Sequence, residues 1–288
     1  MPYKPPPHYF WVSLMKITHA IVILILTLSA NAGCKQQENP SEPGKVTTTS
    51  AYEKAFGPAP PVDKGTAFAF VIYFPLAKEP SKVVPFPFFT FDEASMKKVA
   101  IERLLSGMDT GSYQGEFMTL PPGTRIVSIT DDKGAVTVTL SKVPESLPPA
   151  IALTLQQFKG VSTVHILEEG SQSPLKVVAD ETAIKPPGPP RLLSVAAIRD
   201  KGAKEIEEVD AYFDRPVEVQ ELKLMSRDGE QLPGDLYHSV FDMAGVLKPK
   251  DQAQLKERMP IHVRWKVVDK LGRQAQGDNV WQLEVKEH

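Results

Sequence analysis

The chain has a single cysteine, Cys34, among its 288 residues. Without a second cysteine it has no internal disulfide, so we expect apolar burial alone to stabilise it. It also lacks an excess of charge of either sign, because 33 Lys and Arg residues against 35 Asp and Glu residues give a formal net charge of −2. This balance offers no electrostatic argument for a nucleic acid or a strongly anionic surface as the partner.

The apolar run near the N-terminus is too short, at about fifteen residues, and ends too abruptly for a membrane span. Lys16 precedes this run, and small residues separate it from Cys34. This arrangement is typical of a bacterial export signal. We therefore expect residues 1–33 to be a signal peptide, with Met15 as an alternative true start, because Met15-Lys16 already supplies what the signal needs.

Two processing routes fit the end of this signal. Ala32 and Gly33 suit the two positions before a lipidated cysteine, although Asn31 stands where leucine is usual. Ala30-Asn31-Ala32 is also an A-x-A site, so cleavage after Ala32 would release a soluble protein. We favour lipidation of Cys34, because acylation removes a thiol that would be a liability in an oxidising compartment. The expected location is the cell envelope, outside the cytoplasm.

Polar and proline-rich segments divide the rest of the chain. Residues 34–65 are polar and aperiodic, which predicts a disordered tether. Residues 181–190 end in Pro186-Pro187-Gly188-Pro189-Pro190 and predict a semi-rigid linker. The remaining residues form an N-terminal domain over 66–180 and a C-terminal domain over 191–288.

The first domain combines strand and helix patterns. A buried strand is predicted over 68–74, followed by a helix that the capping-box pattern Thr90-Phe91-Asp92-Glu93 introduces. A hairpin turning at 131–134 comes next, then a helix with Pro149 in its first turn and a strand over 164–166. The predicted order β-α-β-β-α-β indicates an α+β fold.

The second domain shows strand patterns only. Apolar residues alternate in four segments: Val209, Ala211 and Phe213; Leu222 and Leu224; Val263, Trp265 and Val267; Trp281, Leu283 and Val285. About a hundred residues of such short strands indicate an immunoglobulin-like β-sandwich, although the Cys…Trp…Cys spacing of antibody domains is missing.

Six short sequence blocks of the first domain, taken in their order along the chain, form a pattern seen in a known family. They are Val71-Ile72-Tyr73-Phe74, Ile101-Glu102-Arg103-Leu104-Leu105-Ser106-Gly107, Leu120-Pro121-Pro122-Gly123-Thr124-Arg125-Ile126, Val136-Thr137-Val138-Thr139-Leu140-Ser141, Leu153-Thr154-Leu155-Gln156-Gln157-Phe158-Lys159-Gly160-Val161 and Val164-His165-Ile166-Leu167. Together they resemble the GerMN domain of sporulation and germination proteins, which is found in many bacterial envelope lipoproteins. The segment between Ser141 and Ile151 departs from the family pattern, being shorter and richer in proline. The resemblance implies envelope placement and association with proteins or the cell wall, without naming a ligand.

Two segments of the second domain, residues 213–217 and 263–277, are loosely similar to bacterial immunoglobulin-like modules, including those of the CopC copper-resistance type. A copper site needs soft or imidazole ligands brought together. His238 and His262 are the only candidates here, and no matching motif surrounds either of them. No metal and no other cofactor is therefore expected.

Other motifs are assigned to structural roles. Ser95-Met96-Lys97-Lys98 has S-x-x-K spacing without its partner motifs, so Ser95 is assigned to a helix start and Lys98 to solvent. The acidic run over 205–210 is interpreted as a solvated strand face and not as catalytic carboxylates. His165 is assigned to a surface or satisfied core position, and Asp131-Asp132 to a hairpin turn. No catalytic residue is expected.

The most unusual local segment is Val83-Val84-Pro85-Phe86-Pro87-Phe88-Phe89. Because proline is excluded from a central strand, we expect an irregular segment whose phenylalanines cover the core. The alternative is an exposed apolar patch in which Phe86, Phe88 and Phe89 contact a partner.

These patterns favour a non-enzymatic, lipid-anchored envelope protein that binds or assembles with envelope proteins or peptidoglycan. Nucleic acid is not expected as a partner. One alternative is an accessory or weak hydrolase acting on peptidoglycan, which needs a cleft with perturbed carboxylates. Another is a small-solute binding protein, which needs one large apolar pocket between the domains.

Overall fold

A computed structural model of the chain describes residues 44–108 and 111–287. The expected signal peptide and Cys34 lie outside this range. None of the helices within it is both long and apolar enough to cross a membrane.

The first sheet has the strand order β1-β2-β3, comprising β1 (Lys45–Thr48), β2 (Thr66–Pro75) and β3 (Val83–Thr90). Strand β1 runs parallel to β2, and β3 runs antiparallel to it. Helix α1 (Ser50–Phe56) follows β1 and buries Tyr52 and Phe56. The hydroxyl of Thr49 accepts a hydrogen bond from the Tyr52 N–H at 3.2 Å and caps this helix. The disordered tether predicted for 34–65 therefore does not extend over 45–56, which are folded.

Strand β3 accommodates two prolines because it lies at a sheet edge. It pairs Pro85 with Tyr73 and Pro87 with Val71. The N–H groups of Tyr73 and Val71 donate to side chains outside β3, at 3.2 Å and 2.9 Å, so they point away from β3. The positions opposite them in β3 need no N–H donor. The segment predicted to be irregular is thus an edge strand.

The second sheet has the order β4-β5-β6-β7, comprising β4 (Ile126–Asp132), β5 (Ala135–Leu140), β6 (Thr163–Glu168) and β7 (Leu175–Val177). The predicted hairpin is confirmed, because β4 and β5 are antiparallel and turn through Lys133 and Gly134. Both residues have positive φ, 51° and 89°, as a type I′ turn requires. Helix α3 (Leu147–Gln156) connects β5 to the parallel strand β6.

Helix α2 (Met96–Ser106) begins later than the capping-box pattern predicts. Its N-cap is Ser95 and not Thr90. The Thr90 hydroxyl instead accepts from the Asp92 N–H at 3.1 Å, and the Asp92 carboxylate accepts from the Ala94 N–H at 3.0 Å. These local bonds form a turn that delays the helix. The prediction for α3 is confirmed, because proline does occupy its first turn.

The helices and both sheets share one hydrophobic core, so the predicted α+β class is confirmed. Its fully buried members include Tyr52, Phe70, Ile72, Ile101, Leu104, Leu140, Ile151 and Leu155. We call residues 44–184 the N-terminal lobe, residues 185–190 the connector and residues 191–287 the C-terminal lobe.

The C-terminal lobe is a β-sandwich of two sheets. The first has the order β10-β13-β14, comprising β10 (Val217–Met225), β13 (Pro260–Asp269) and β14 (Gln274–Gln282). The second has the order β11-β12-β9-β8-β15, comprising β8 (Leu192–Arg199), β9 (Glu208–Phe213), β11 (Gly234–His238), β12 (Ala244–Pro249) and β15 (Glu284–Glu287). A separate hydrophobic core fills this sandwich. The architecture is compatible with the predicted immunoglobulin-like outline.

One predicted strand of this lobe proves to be two. The alternation of Trp281, Leu283 and Val285 continues across a change of sheet, because β14 pairs with β13 whereas β15 pairs in parallel with β8. Leu283, fully buried at the crossing, donates its N–H to the Met259 carbonyl at 3.0 Å. The C-terminal segment therefore joins both sheets of the sandwich.

The two lobes belong to one compact unit. The connector begins as an extension of the N-terminal sheet, where the Lys185 N–H donates to the Val83 carbonyl at 2.8 Å. Phe89 of β3 stacks on Phe241 of the C-terminal lobe with ring centroids 4.3 Å apart. The junction is therefore packed on more than one side.

Candidate functional site at the junction of the lobes

The predicted partner-contact residues pack largely within the chain itself. Phe86 is 3% exposed and lies edge-on to Tyr113, so the exposed-patch prediction is wrong for this residue. Phe88 is half-buried and packs on Phe70 with ring centroids 5.4 Å apart. Phe89 is also half-buried, and its ring stacks on the C-terminal lobe. The other predicted site residue, Cys34, lies outside the described residues.

The residues that sequence analysis assigned to structural roles are dispersed. The Ser95 hydroxyl donates to the Asp92 carbonyl at 3.4 Å, and Lys98 Nζ lies 3.7 Å from Glu102 on the surface. His165 sits in the central strand β6, where its Nδ1 atom is buried with no hydrogen-bond partner in the part of the chain described. The interpretation of His165 as a satisfied core residue therefore does not hold for this atom.

The acidic run at the start of β9 is only partly solvated. Glu207 and Glu208 lie 3.5 Å and 3.7 Å from Lys248 Nζ. Asp210 is 7% exposed and accepts a hydrogen bond from the Tyr212 hydroxyl at 2.6 Å, so the predicted solvated position is wrong for it. The reason is that β9 lies inside the five-stranded sheet, between β8 and β12. Burial, followed by this bond, raises the pKa of Tyr212.

Buried charges meet where the lobes join. Arg215 is 1% exposed, and its Nε and Nη2 atoms donate to the two carboxylate oxygens of Asp214 at 3.0 Å and 2.8 Å. Its Nη1 atom donates to the Gly188 carbonyl at 2.8 Å and lies 3.6 Å from Asp269. Arg215 thus links β-strand ends of the C-terminal lobe to the connector.

Tyr113 extends this network into the N-terminal lobe. Its hydroxyl donates to Asp214 Oδ2 at 2.5 Å, and the guanidinium of Arg191 lies 4.5 Å from its ring centroid. Arg191 also forms an ion pair with Glu116 and donates to the Ser112 carbonyl at 3.0 Å. Burial, then the charge of Asp214 and this hydrogen bond, raises the pKa of Tyr113. The phenol is therefore a stable donor at physiological pH.

Arg273 completes the network on the side of helix α1. Its Nε atom donates to Asp269 Oδ2 at 2.6 Å. Its Nη1 and Nη2 atoms donate to the carbonyls of Pro187 and Ala55 at 3.2 Å and 2.9 Å. Phe56 packs beneath, with its ring centroid 5.9 Å from the Arg273 guanidinium. One side chain thereby contacts the N-terminal lobe, the connector and the C-terminal lobe.

We refer to Tyr113, Asp214, Arg215, Asp269 and Arg273 as the junction network. Its two carboxylates and two guanidiniums balance in charge. Burial alone lowers the pKa of Arg215, but the bond to Asp214 and the surrounding negative charge raise it by more, so the guanidinium remains charged. The Asp214 carboxylate accepts four hydrogen bonds, which occupy its lone pairs. The arrangement is suited to holding lobes together.

A cleft of about 640 Å³ opens beside this network. It is lined by Lys54, Tyr73, Gln156, Glu181, Leu271 and Arg273, among others. Tyr73 is 5% exposed, and its hydroxyl makes no hydrogen bond with the described residues. Burial, and then the charge of Glu181, raises the pKa of Tyr73 to about 12, so this phenol is protonated at neutral pH. At the rim, Lys54 and Glu181 form an exposed ion pair at 3.0 Å.

Within residues 44–108 and 111–287, no group of three His, Cys, Asp or Glu side chains is placed to hold a metal ion. His238 Nδ1 lies 3.8 Å from Asp242, and His262 contacts Asp278. Each histidine thus has an acidic neighbour of its own.

Sequence reasoning did not identify the junction network. A signal for it exists in Asp214-Arg215-Pro216, where two charges follow the apolar alternation of β9 and precede the buried Val217. Charged residues inside an apolar strand pattern are expected to be paired when buried. Their partners, Tyr113 and Asp269, lie far away in the sequence and carry no such signal.

No curated protein sequence matches the chain significantly. Among solved structures, CopC from Methylosinus trichosporium OB3b is similar over 34% of this chain and 97% of its own, with 12% identity and a TM-score of 0.25. PcoC, a methionine-rich copper resistance protein from Escherichia coli, is similar over 34% of this chain and 100% of its own, with 15% identity and a TM-score of 0.26.

The family model Germane, described as sporulation and spore germination, matches residues 71–174. This range begins within β2 and ends just before β7, and it includes α2, the β4–β5 hairpin and α3. The six sequence blocks named above lie in the same order along these elements. Residues 71–174 of this chain therefore form a domain of the Germane, or GerMN, family.

Proposed function

We propose that this is a non-enzymatic, lipid-anchored cell-envelope protein in which the Germane domain and the C-terminal β-sandwich act together as one binding or assembly module. The observation that carries the proposal is the buried junction network, which joins both lobes and the connector through Arg215 and Arg273. This buried network disfavours hinge motion, since separating the lobes would break the hydrogen bonds from Tyr113 to Asp214 and from Arg273 to the Ala55 carbonyl. The module presents both lobes to its partner in a fixed arrangement.

The envelope location is supported by the export-signal pattern that ends at Cys34. A single acyl chain binds a membrane only marginally, so the mature protein is expected to carry more than one on Cys34. Residues 66–180 and 191–288 are proposed as two domains, the second of immunoglobulin-like type. The proposed partners are envelope proteins or peptidoglycan.

Lipid anchoring is tested by fractionating cells that express the Cys34→Ala variant. The parent protein should be found with membranes, and the variant should move to the soluble fraction. Asn31→Leu is the matched control, because it improves the lipidation pattern and should leave the protein in membranes. Membrane retention of Cys34→Ala, together with an unmodified Cys34 mass in the parent, would contradict the proposal.

The non-enzymatic role is tested by complementation of a deletion strain. Alanine variants of Ser95, Lys98, His165 and Glu207 should restore the phenotype at normal protein levels, because no site is proposed at these positions. Crosslinking in native membranes should at the same time capture envelope partners with the parent protein. A stable, normally abundant variant among these four that fails to complement would favour the hydrolase alternative.

The cleft favours small-solute binding as a second candidate function. Its volume of about 640 Å³ is in the usual range of ligand sites, and the Tyr73 hydroxyl provides an unused donor. Equilibrium dialysis of the parent and of Tyr73→Phe against a radiolabelled envelope extract would test it. Retention of a solute by the parent and its loss in Tyr73→Phe would support this function. Equal retention by both proteins would exclude the cleft as the binding site.

A further inference from the structure

A second groove, with a volume of about 460 Å³, lies on the C-terminal lobe where the connector enters β8. Residues that line it include Ser112, Arg191, Trp265, Asn279, Val280 and Trp281. None of the residues that line this groove also lines the cleft beside the junction network. The groove therefore presents a second candidate binding site, for which the fold supplies two tryptophans.

A glycine makes room for the first tryptophan. Trp265 of β13 pairs with Gly277 of the edge strand β14. A Cβ atom at position 277 would lie 2.5 Å from Trp265 Nε1, so only glycine permits the indole to lie across β14. Because side chains alternate along a strand, Asn279 and Trp281 lie on the same face as Gly277. The two indoles and one amide thus share one face at the sheet edge.

Both indole N–H groups lack an acceptor. The Nε1 atoms of Trp265 and Trp281 are buried, and neither has a hydrogen-bond partner in the described part of the chain. Buried tryptophans usually find a partner for this group, and an unpaired buried donor is unfavourable. The Trp265 N–H is covered by Gly277, so Trp281, which is half-buried, is the side chain whose unpaired N–H points to a ligand that supplies an acceptor.

The polar groups of the groove are not free charges. The Arg191 guanidinium is already paired with Glu116 and packed on Tyr113. Asn279 is exposed, and its amide makes no hydrogen bond with the described residues. The groove thus offers aromatic rings, N–H donors and an uncharged amide. This combination matches a sugar, whose C–H faces pack on indole rings and whose hydroxyl and acetamido groups bond to amides and N–H donors.

We propose that this groove binds the β-linked amino-sugar glycan of the cell wall, with Trp281 and Asn279 as its main contacts. The half-buried Trp281 turns its N–H toward an acceptor on the sugar as the glycan enters. This inference rests on the proposed envelope function and specifies the glycan as the partner.

The tryptophan content of the chain makes the groove directly observable. The three tryptophans are Trp11, in the expected signal peptide, and the two of the groove. In the processed chain, indole fluorescence therefore reports on the groove alone. The probe is the N-acetylglucosamine tetramer, titrated into the full mature chain with Cys34→Ala for solubility. A saturable change in fluorescence is expected, together with shifts of the two indole N–H signals in the NMR spectrum.

Two groove variants and one control separate binding from folding. Asn279→Ala, at an exposed position, and Trp281→Phe, which keeps an aromatic ring but removes the N–H, should each weaken binding roughly tenfold. Gln282→Ala, at an exposed neighbouring position of the same strand, should bind as the parent does. The proposal is overturned if the tetramer gives no spectral change up to about 10 mM, or if Asn279→Ala binds with unchanged affinity. Neither result bears on Cys34 fractionation or on crosslinking to envelope proteins, so failure here is distinguishable from failure of the proposed function.

Discussion

Arg215 interrupts the apolar pattern of the C-terminal lobe, yet its side chain is among the most completely buried of the described residues. Its charge is tolerated because Asp214, Asp269 and a connector carbonyl surround the guanidinium. A buried ion pair adds little net stability relative to apolar residues of similar volume. Removing one partner is different, because it leaves the other charge buried and unpaired.

We therefore expect Arg215→Ala to lower the free energy of unfolding by about 3–5 kcal/mol. Lys223→Ala is the matched control, since Lys223 forms a partly exposed ion pair with Glu221 at 3.0 Å. The control should change the free energy by about 1 kcal/mol or less. Urea denaturation followed by fluorescence measures both. An Arg215→Ala protein as stable as the control would show that the buried charges of the junction network do not depend on this guanidinium for their pairing.

Tyr73 makes stability depend on alkaline pH. Its pKa is raised by burial, from 10.0 to about 12, so the folded state retains a proton that the unfolded state releases earlier. The folded state is therefore favoured below pH 10, and this contribution is lost as the pH rises from 10 towards 12. Urea midpoints measured across this window should fall less steeply for Tyr73→Phe than for the parent. Urea midpoints that fall equally with pH in the two proteins would contradict the raised pKa of Tyr73.

At the scale of elements, strand β2 is longer than its parallel neighbour β1, whose pairing ends at Ala69. Beyond that point the side chain of Gln157 takes the place of a strand. Its Oε1 accepts from the Val71 N–H at 2.9 Å, and its Nε2 donates to the Val71 carbonyl at 2.6 Å. The Thr154 hydroxyl accepts from the Tyr73 N–H at 3.2 Å. The end of α3 thus supplies hydrogen-bond partners for the buried half of β2 that β1 does not reach.

Gln157→Ala removes both bonds to Val71 and should lower the free energy of unfolding by about 1–3 kcal/mol, because it leaves buried backbone groups unpaired. Gln156→Ala is the control, since the neighbouring side chain takes no part in these bonds. Hydrogen exchange of the Val71 amide should accelerate in the first variant only. Equal exchange rates in both variants would indicate that the amide is protected without Gln157.

At the scale of the whole molecule, two hydrophobic cores are connected by a polar junction. Each core is continuous within its own lobe, which supports independent folding. The network nevertheless draws partners from both lobes, including Tyr113 for Asp214 and Ala55 for Arg273. Separation would expose these charged groups to water.

The isolated fragment 191–288 is therefore expected to unfold cooperatively but with lower stability than the same lobe in the full chain. Thermal unfolding followed by circular dichroism, for the fragment and for a full chain cut at the connector, measures this difference. A fragment that shows no cooperative transition would establish that the C-terminal strands require the N-terminal lobe.

Local patterns along the sequence were sufficient to predict the α+β class, the hairpin at residues 131–134 and the β-rich C-terminal region. Each depends on short-range periodicity or on turn residues that act within a few positions. Strand β1 escaped prediction because it is only four residues long, three of them are polar, and it lies at a sheet edge, where backbone pairing with β2 supplies the stability. Strand β3 also escaped prediction, because its two prolines argued against a strand. Only the sheet pairing shows that their positions need no N–H donor.

Only the tertiary structure shows which residues come together in the junction network and in the groove. Asp214 and Tyr113 lie 101 positions apart, and Arg273 and Ala55 lie 218 positions apart, so no local pattern connects them. Trp265 likewise packs on Gly277 only because of the register in which β13 pairs with β14. The sequence by itself determines which residues favour burial and which favour a turn, because both preferences depend on the local chemistry of the chain. Which distant charges meet is determined by packing of the two lobes, because pairing energy depends on distance and burial in the folded chain.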